Sequence, residues 1–344
     1  MTCRIKYNIS DEILKRGIYA VQILLNKNKP FFKAAMHSHS TNSDGRLTVS
    51  EQKELFKAEG YSVVAFTDHE HLIDNSFLDD ENFLTITSCE VAIKEFPEQS
   101  TSKNTSMRVT HLNFYALDQH NVLTPCYSSV CDHFINESIA DKIKFNGEYN
   151  RVYSKEGINA IINEAKKQGF LVSYNHPDWS LESACDYLGY ENLDFVEVYN
   201  HACSVEGGEG YQIKAFDDFL RSGKKIYAFM ADDSHKKEHM FGGFIMINAS
   251  KLEYNTILSA LRNGEFYISQ GPEIYSIIRE GNTVTVECSK AKRINLSTKG
   301  RRCDTITGEG IEKATFTLKE NDGYFRITVI DEYNLHAHSQ SYNI

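Results

Sequence analysis

The chain has 344 residues, a formal net charge of −10, and 41% hydrophobic against 24% charged residues. That length suits one large α/β domain with a smaller appendage, and the apolar content excludes a disordered or fibrous chain. The acidic balance argues against a surface tracking a long nucleic-acid backbone, because each phosphate contact needs a local cation.

No eighteen apolar residues run together, and Met1 to Lys15 lacks a basic segment leading into an apolar stretch. The eight cysteines, Cys3, Cys89, Cys126, Cys131, Cys185, Cys203, Cys288 and Cys303, form no Cys-x-x-Cys pair. A cytoplasmic protein with reduced thiols is expected, neither exported nor membrane-spanning.

In chain order, Phe31 to Met36 reads as a strand, Thr48 as the cap of a helix from Val49 to Glu59, and Tyr61 to Phe66 as the next strand after Gly60. Further strands are predicted at Phe83 to Thr87, Arg108 to Tyr115, Phe170 to Tyr174, Phe195 to Tyr199 and Lys225 to Met230. Helices are predicted at Lys155 to Gln168, Tyr211 to Ser222 and Thr256 to Arg262, each ending near a glycine. This alternation predicts a sheet or barrel covered by helices.

The stretch from Leu117 to Tyr153 breaks the rhythm, with Cys126 to Ile139 read as helical, and is taken as an insertion over the active-site face. Gly207-Gly208-Glu209-Gly210 lacks nucleotide-loop spacing and reads as a flexible turn before the helix from Tyr211. After Gly271-Pro272 the period becomes two. Glu273 to Ile278, Thr283 to Cys288, Arg293 to Ser297, Ala314 to Leu318 and Tyr324 to Ile330 predict a small antiparallel β-appendage over 271–344, with the large domain spanning 1–270.

Six histidines and three carboxylates fall at or near the ends of the large domain's hydrophobic runs. His37 and His39, at i and i+2, point to one side of an extended chain and can grip one ion. Asp44 lies in the turn Asn42-Ser43-Asp44-Gly45, where it either joins them or caps backbone amides as an Asx-turn. His69, Glu90 and His176 follow predicted strands, His111 sits within one, and Asp233 with His235 repeats the i, i+2 relation. Ligands from many strand ends converge on one face of a barrel, so the set reads as a site for two or three divalent metals.

The neighbours are read differently. Asp68 is a supporting carboxylate beside His69, His71 a neighbour near the mouth, Asp232 the less favoured alternative to Asp233, and His336 with His338 ordinary side chains of the β-rich tail.

With these residues assembled, the chain resembles the PHP superfamily of polymerase and histidinol phosphatase domains, over residues 31 to about 270. His37-Ser38-His39 with Ser43-Asp44-Gly45 looks like its first motif and Thr67-Asp68-His69 its second. Glu90, His111, Asn175-His176-Pro177 and Asp233-Ser234-His235 follow in the family's order.

The resemblance implies a distorted (β/α)7 TIM-like barrel and metal-dependent phosphoester hydrolysis. It implies that His37, His39, Glu90 and Asp233 hold one ion, that Glu90 as a bridge with His111 and His176 holds a second, and that Asp44, His69 and His235 hold a third. Six imidazoles favour manganese, iron or zinc over magnesium. A shared, activated water is then the expected nucleophile, with Glu90 and Asp233 catalytic through the ions they fix.

His201, just beyond a strand, is either a proton donor facing the substrate or an ordinary loop residue, and Arg46 is a candidate phosphate contact. The expected substrate is a small phosphate ester, a nucleotide or related phosphorylated metabolite. The alternatives are a cyclic phosphodiesterase, a short-oligonucleotide exonuclease, and a non-catalytic metal-binding scaffold.

Overall fold

The computed structural model describes residues 21–96, 107–135 and 139–344. Cys3 and the segment Met1 to Lys15 lie outside them. The first strands are β1 (Val21–Leu25), β2 (Phe31–Ala35), β3 (Tyr61–Phe66), β4 (Leu84–Lys94) and β5 (Val109–Ala116). There follow β6 (Leu123–Thr124), β7 (Lys144–Phe145), β8 (Phe170–Tyr174), β9 (Phe195–Asn200) and β10 (Tyr227–Ala231). Then come β11 (Phe244–Asn248), β12 (Phe266–Ser269), β13 (Ile274–Glu280) and β14 (Thr283–Thr298). The last are β15 (Cys303–Thr317), β16 (Tyr324–Ile330), β17 (His336–Ser339) and β18 (Tyr342–Asn343).

All but β6 and β7 belong to one mixed sheet, which makes the molecule a mixed α/β fold. One half runs β2-β3-β4-β5-β8-β9-β10, parallel throughout except for β5, which is antiparallel to both neighbours. Beyond the ends of β10 and β2 two backbone hydrogen bonds join the segments that follow: Asp233 N–H donates to the His37 carbonyl at 3.1 Å, and His39 N–H to the Ser234 carbonyl at 2.9 Å. On the other side of β2, antiparallel β11 leads into β12, β17, β16, β14, β13 and β1.

The helices form where the sequence supplies both a cap and a stripe. Thr48 and Glu51 make a reciprocal capping box at the start of Val49–Ala58. Lys155–Lys167 starts at the Ser154 cap and buries Ile158, Ile161, Ile162 and Ala165, the i, i+3, i+4, i+7 face. Each such isoleucine contributes roughly 1.5–3 kcal/mol of burial. The helix Tyr254–Asn263 stops at Gly264, whose φ of 69° suits glycine and where a Cβ would sit 2.3 Å from the Tyr227 ring.

One apolar cluster packs the seven-strand run against Lys155–Lys167 and Tyr254–Asn263, with residues such as Phe114, Phe195, Phe229 and Leu261, while Phe56 of Val49–Ala58 packs with Tyr61, Val64 and Phe66 in a separate one. A second fills the antiparallel half, and Leu25 of β1 joins it. The two halves are stitched by polar contacts: Tyr211 Oη lies 2.9 Å from His336 Nδ1 and 2.6 Å from His338 Nε2, and Arg326 pairs with Asp217. The second His-x-His is thus tied up in hydrogen bonds. Among the described residues no helix is long and apolar enough to cross a membrane, and the seven described cysteines are unpaired.

Three expectations need correction. Cys126 to Ile139 is not helical among its described residues: Cys126 takes a φ of +51°, and Asp132 accepts the Phe134 N–H instead of leaving it to a helix. Residues 136–138 lie outside the described set. Thr283 to Cys288 and Arg293 to Ser297 are one strand, β14, whose register shifts between Glu287 and Arg293, so a bulge imitates a turn. Finally, β4 runs on to Lys94, so Glu90 lies within it, facing Asn113 of β5, and does not follow a strand end.

Candidate metal centre

The nine ligand-type residues come together on one side of the sheet, seven of them in the segments that follow β2, β3, β8 and β10, with Glu90 inside β4 and His111 inside β5. Glu90 is at the centre. Its Oε1 is 3.2 Å from His37 Nε2, His111 Nδ1 and His176 Nε2, and its Oε2 is 3.3 Å from His69 Nδ1 and 3.5 Å from His39 Nε2. Asp233 Oδ1 is 3.0 Å from His39 Nε2 and 3.3 Å from His37 Nε2. At the outer side, Asp44 faces His235 Nε2 at 3.4 Å, His69 Nε2 at 3.6 Å and His39 Nδ1 at 3.8 Å.

Their donor atoms fall into three groups that could each hold an ion: His37, His39, Glu90 and Asp233; Glu90, His111 and His176; and His39, Asp44, His69 and His235. The last includes His39 beyond the expected trio. Two observations fit metal ions. His37 and His39 turn their Nε2 atoms to each other at 3.2 Å while His37 Nδ1 is engaged by Glu197, an arrangement a cation between lone pairs satisfies. His39 Nδ1, His111 Nδ1 and Asp233 Oδ1 are buried without an aligned hydrogen bond among the described residues, although His111 Nδ1 and Asp233 Oδ1 lie 3.2 and 3.0 Å from Glu90 Oε1 and His39 Nε2.

Electrostatics agree. Burial alone would push Glu90 upward, but His111 and His37 outweigh it and hold this carboxylate well below its ordinary range. Asp233 is likewise held down by His37 and His235 against its burial. Burial would lower His69, yet Asp44 and Glu90 lift it to about 9, while burial with His235 and His69 nearby drops His39 to about 4.

The local fold makes this geometry from specific choices. Gly45 closes the first loop onto His39, where a Cβ would lie 2.2 Å from the His39 carbonyl oxygen. Asp68 accepts from Ser40 and Ser43 and organises that loop without entering the three groups. His176 and Asp233 hold positive φ, 25° and 51°, conformations that cost about 1–3 kcal/mol each and gather at functional sites.

Asp232 accepts the N–H groups of Phe241, Gly242 and Gly243 and is thereby separated in role from Asp233. His71 is bound to Asp132 and to the Asn42 carbonyl.

A cavity of about 690 Å³ opens over the cluster. Arg46 lines it, as does the turn Gly207-Gly208-Glu209. His201 does not: its Nδ1 is 2.8 Å from the Tyr199 hydroxyl and its ring packs on Gly242.

Several residues assigned no role of their own from the sequence contribute. Glu197 holds His37 Nδ1 at 2.9 Å, Asn175 donates to Glu90 at 2.8 Å, and Asn200 donates to Asp233 at 3.0 Å. Lys236 and His239 line the cavity, both bound to Glu206. Glu197 carried a usable signal, a carboxylate inside the apolar run Phe195 to Tyr199, where a buried charge needs a partner. Glu197→Gln is expected to weaken metal binding about 10- to 100-fold in a competitive titration, because it loosens the tautomer of His37. Unchanged affinity would remove Glu197 from the site.

In its ligand set and their order the chain resembles the PHP superfamily. No family model and no curated protein matches it. Among solved structures it is similar to a two-domain protein from Bacteroides vulgatus containing a predicted PHP-like metal-dependent phosphoesterase, at 14% identity over 94% of this chain and 97% of that one, TM-score 0.46. It is also similar to an amidohydrolase from Chromobacterium violaceum with bound sulfate and no metal, at 15% identity over 59% and 88% of the two chains, TM-score 0.36. A protein from Bifidobacterium adolescentis assigned as a metal-dependent phosphoesterase gives 15% identity, 61% and 90%, and a TM-score of 0.34. Overlaps this low identify no function by themselves. The PHP-like reading rests on the nine residues.

Proposed function

We propose that the chain is a metal-dependent phosphoric ester hydrolase acting on a small phosphate ester, a nucleotide or related phosphorylated metabolite. We read the described part of 1–270 as a distorted (β/α)7 barrel, a reading supported by the two backbone hydrogen bonds between the segments after β10 and β2, with 271–344 as an appendage whose sheet and core also take in β1. The observation that carries the reading is Glu90, one buried carboxylate whose two oxygens face five imidazoles.

Two or three divalent ions fit these residues, and manganese, iron or zinc suits an imidazole-rich set better than magnesium. Bound there, such ions lower the pKa of water and neutralise phosphoryl oxygens. Glu90 and Asp233 contribute by remaining ionised in a buried place. Glu197, Asn175 and Asn200 fix the orientation of His37, Glu90 and Asp233. Among the described lining residues Arg46 and Lys236 are the lysine and arginine side chains; Lys236 is paired with Glu206, and Arg46 is suited to the non-reacting phosphate oxygens.

With manganese added, p-nitrophenyl phosphate is expected to turn over faster than bis-p-nitrophenyl phosphate. The reverse order would favour a diesterase. Turnover of neither, in protein shown to contain the ions, would favour a metal-binding scaffold.

A further inference from the structure

Trp179 is the chain's single tryptophan, and it stands 54% exposed on the lining of the cavity. The indole presents a large flat surface to water beside a polar site. Its ring is held in place. The indole centroid lies 5.0 Å from that of His111 and 4.9 Å from that of His176. The turn that carries it is fixed by Ser180 N–H to the His176 carbonyl at 3.1 Å and by Asp178 N–H to Gln212 at 3.0 Å.

The rest of the lining leaves room beside it. Ala202, Cys203, Gly207 and Gly208 bring little or no side chain, and 690 Å³ is far more than a phosphate group needs. Among its described lining residues the cavity therefore offers Arg46 and a Lys236 paired with Glu206 on one side, and the indole of Trp179 beside His111 and His176 as its broad aromatic surface.

We propose that Trp179 is the platform on which a planar, unsaturated ring of the substrate's organic group stacks while the phosphate reaches the metal cluster. This rests on the phosphoesterase reading and narrows it to ring-bearing phosphate esters. A purely supporting role for Trp179, bracing His111 and His176, makes a different forecast, because it would affect every substrate alike.

Benzyl phosphate and cyclohexylmethyl phosphate separate the two roles, since they match in size and leaving-group type and differ in the flat ring. Trp179→Leu is expected to lower kcat/KM about tenfold for benzyl phosphate, the scale of one stacking contact, and to change the cyclohexylmethyl ester less than twofold. An equal fall for both, or no change in either, overturns the platform.

Binding is also readable without turnover, because the emission comes from one tryptophan. Benzylphosphonate added to the manganese-loaded protein is expected to quench that emission, and cyclohexylmethylphosphonate to quench it little. Quenching without hydrolysis of either ester would overturn the phosphoesterase reading and keep the platform. No emission response to saturating benzylphosphonate would overturn the platform, whatever the turnover.

Discussion

Glu90→Gln is expected to lower hydrolysis by about 10³-fold, the scale of removing one preorganised electrostatic element, with the far-UV circular dichroism unchanged. The substitution keeps volume and removes charge. Asn175 donates to Oε1, so the amide oxygen stays on that side and the new NH2 group turns toward His39 and His69, 3.5 and 3.3 Å from the original Oε2. A donor would then point where a cation should sit. Because Glu90 belongs to two of the three ligand groups, metal analysis of the variant should show fewer bound ions, not merely slower turnover. A fully active Glu90→Gln variant would contradict its place in the site.

Chelation has the second largest expected effect. Stripping the ions should abolish turnover, with recovery on adding manganese, and should lower Tm on the order of 5–10 °C, since a site held at a thousandfold its Kd contributes about 4 kcal/mol. The difference should depend on pH with a definite sign. In the metal-free protein His69 is raised from 6.5 to about 9, burial being outweighed by Asp44 and Glu90. A raised folded pKa gives stability that is fully present below about 6.5 and is lost as pH rises through about 9.

His37 is shifted the same way by Asp233, Glu90 and Glu197 despite its burial. Ions must displace those protons, so their apparent affinity falls as pH falls. The gap in Tm between loaded and chelated protein should therefore widen from pH 6.5 to pH 9. A constant gap, or one that narrows, would contradict the ligand assignment of His69 and His37.

Much of this centre was legible because its chemistry needs particular residue types at particular places. His37 and His39 at i, i+2, and Asp233 with His235 at the same spacing, are readable wherever strand ends can be placed, and the strands at Tyr61–Phe66 and Phe170–Tyr174 were placed to the residue. The choice of Asp233 over Asp232 followed from spacing alone, and the three N–H groups that Asp232 accepts explain its separate role.

What stayed hidden is set by long-range contact. Glu197 meets His37 across 160 positions of sequence, and Trp179 acquires meaning only from the rings beside it. The reach of β4 past Glu90 depends on its antiparallel partner β5, which local periodicity does not report. His201 looked suitable by its place after a strand, but its ring is turned to Tyr199 and Gly242.

The most direct test is anomalous diffraction from crystals grown with manganese. Two peaks are expected beside Glu90, roughly 3.5 Å apart, one among His37, His39 and Asp233 and one toward His111 and His176, with a third beside Asp44 and His235. Peaks elsewhere, or a cluster that stays without anomalous signal in hydrolytically active protein, would contradict the account.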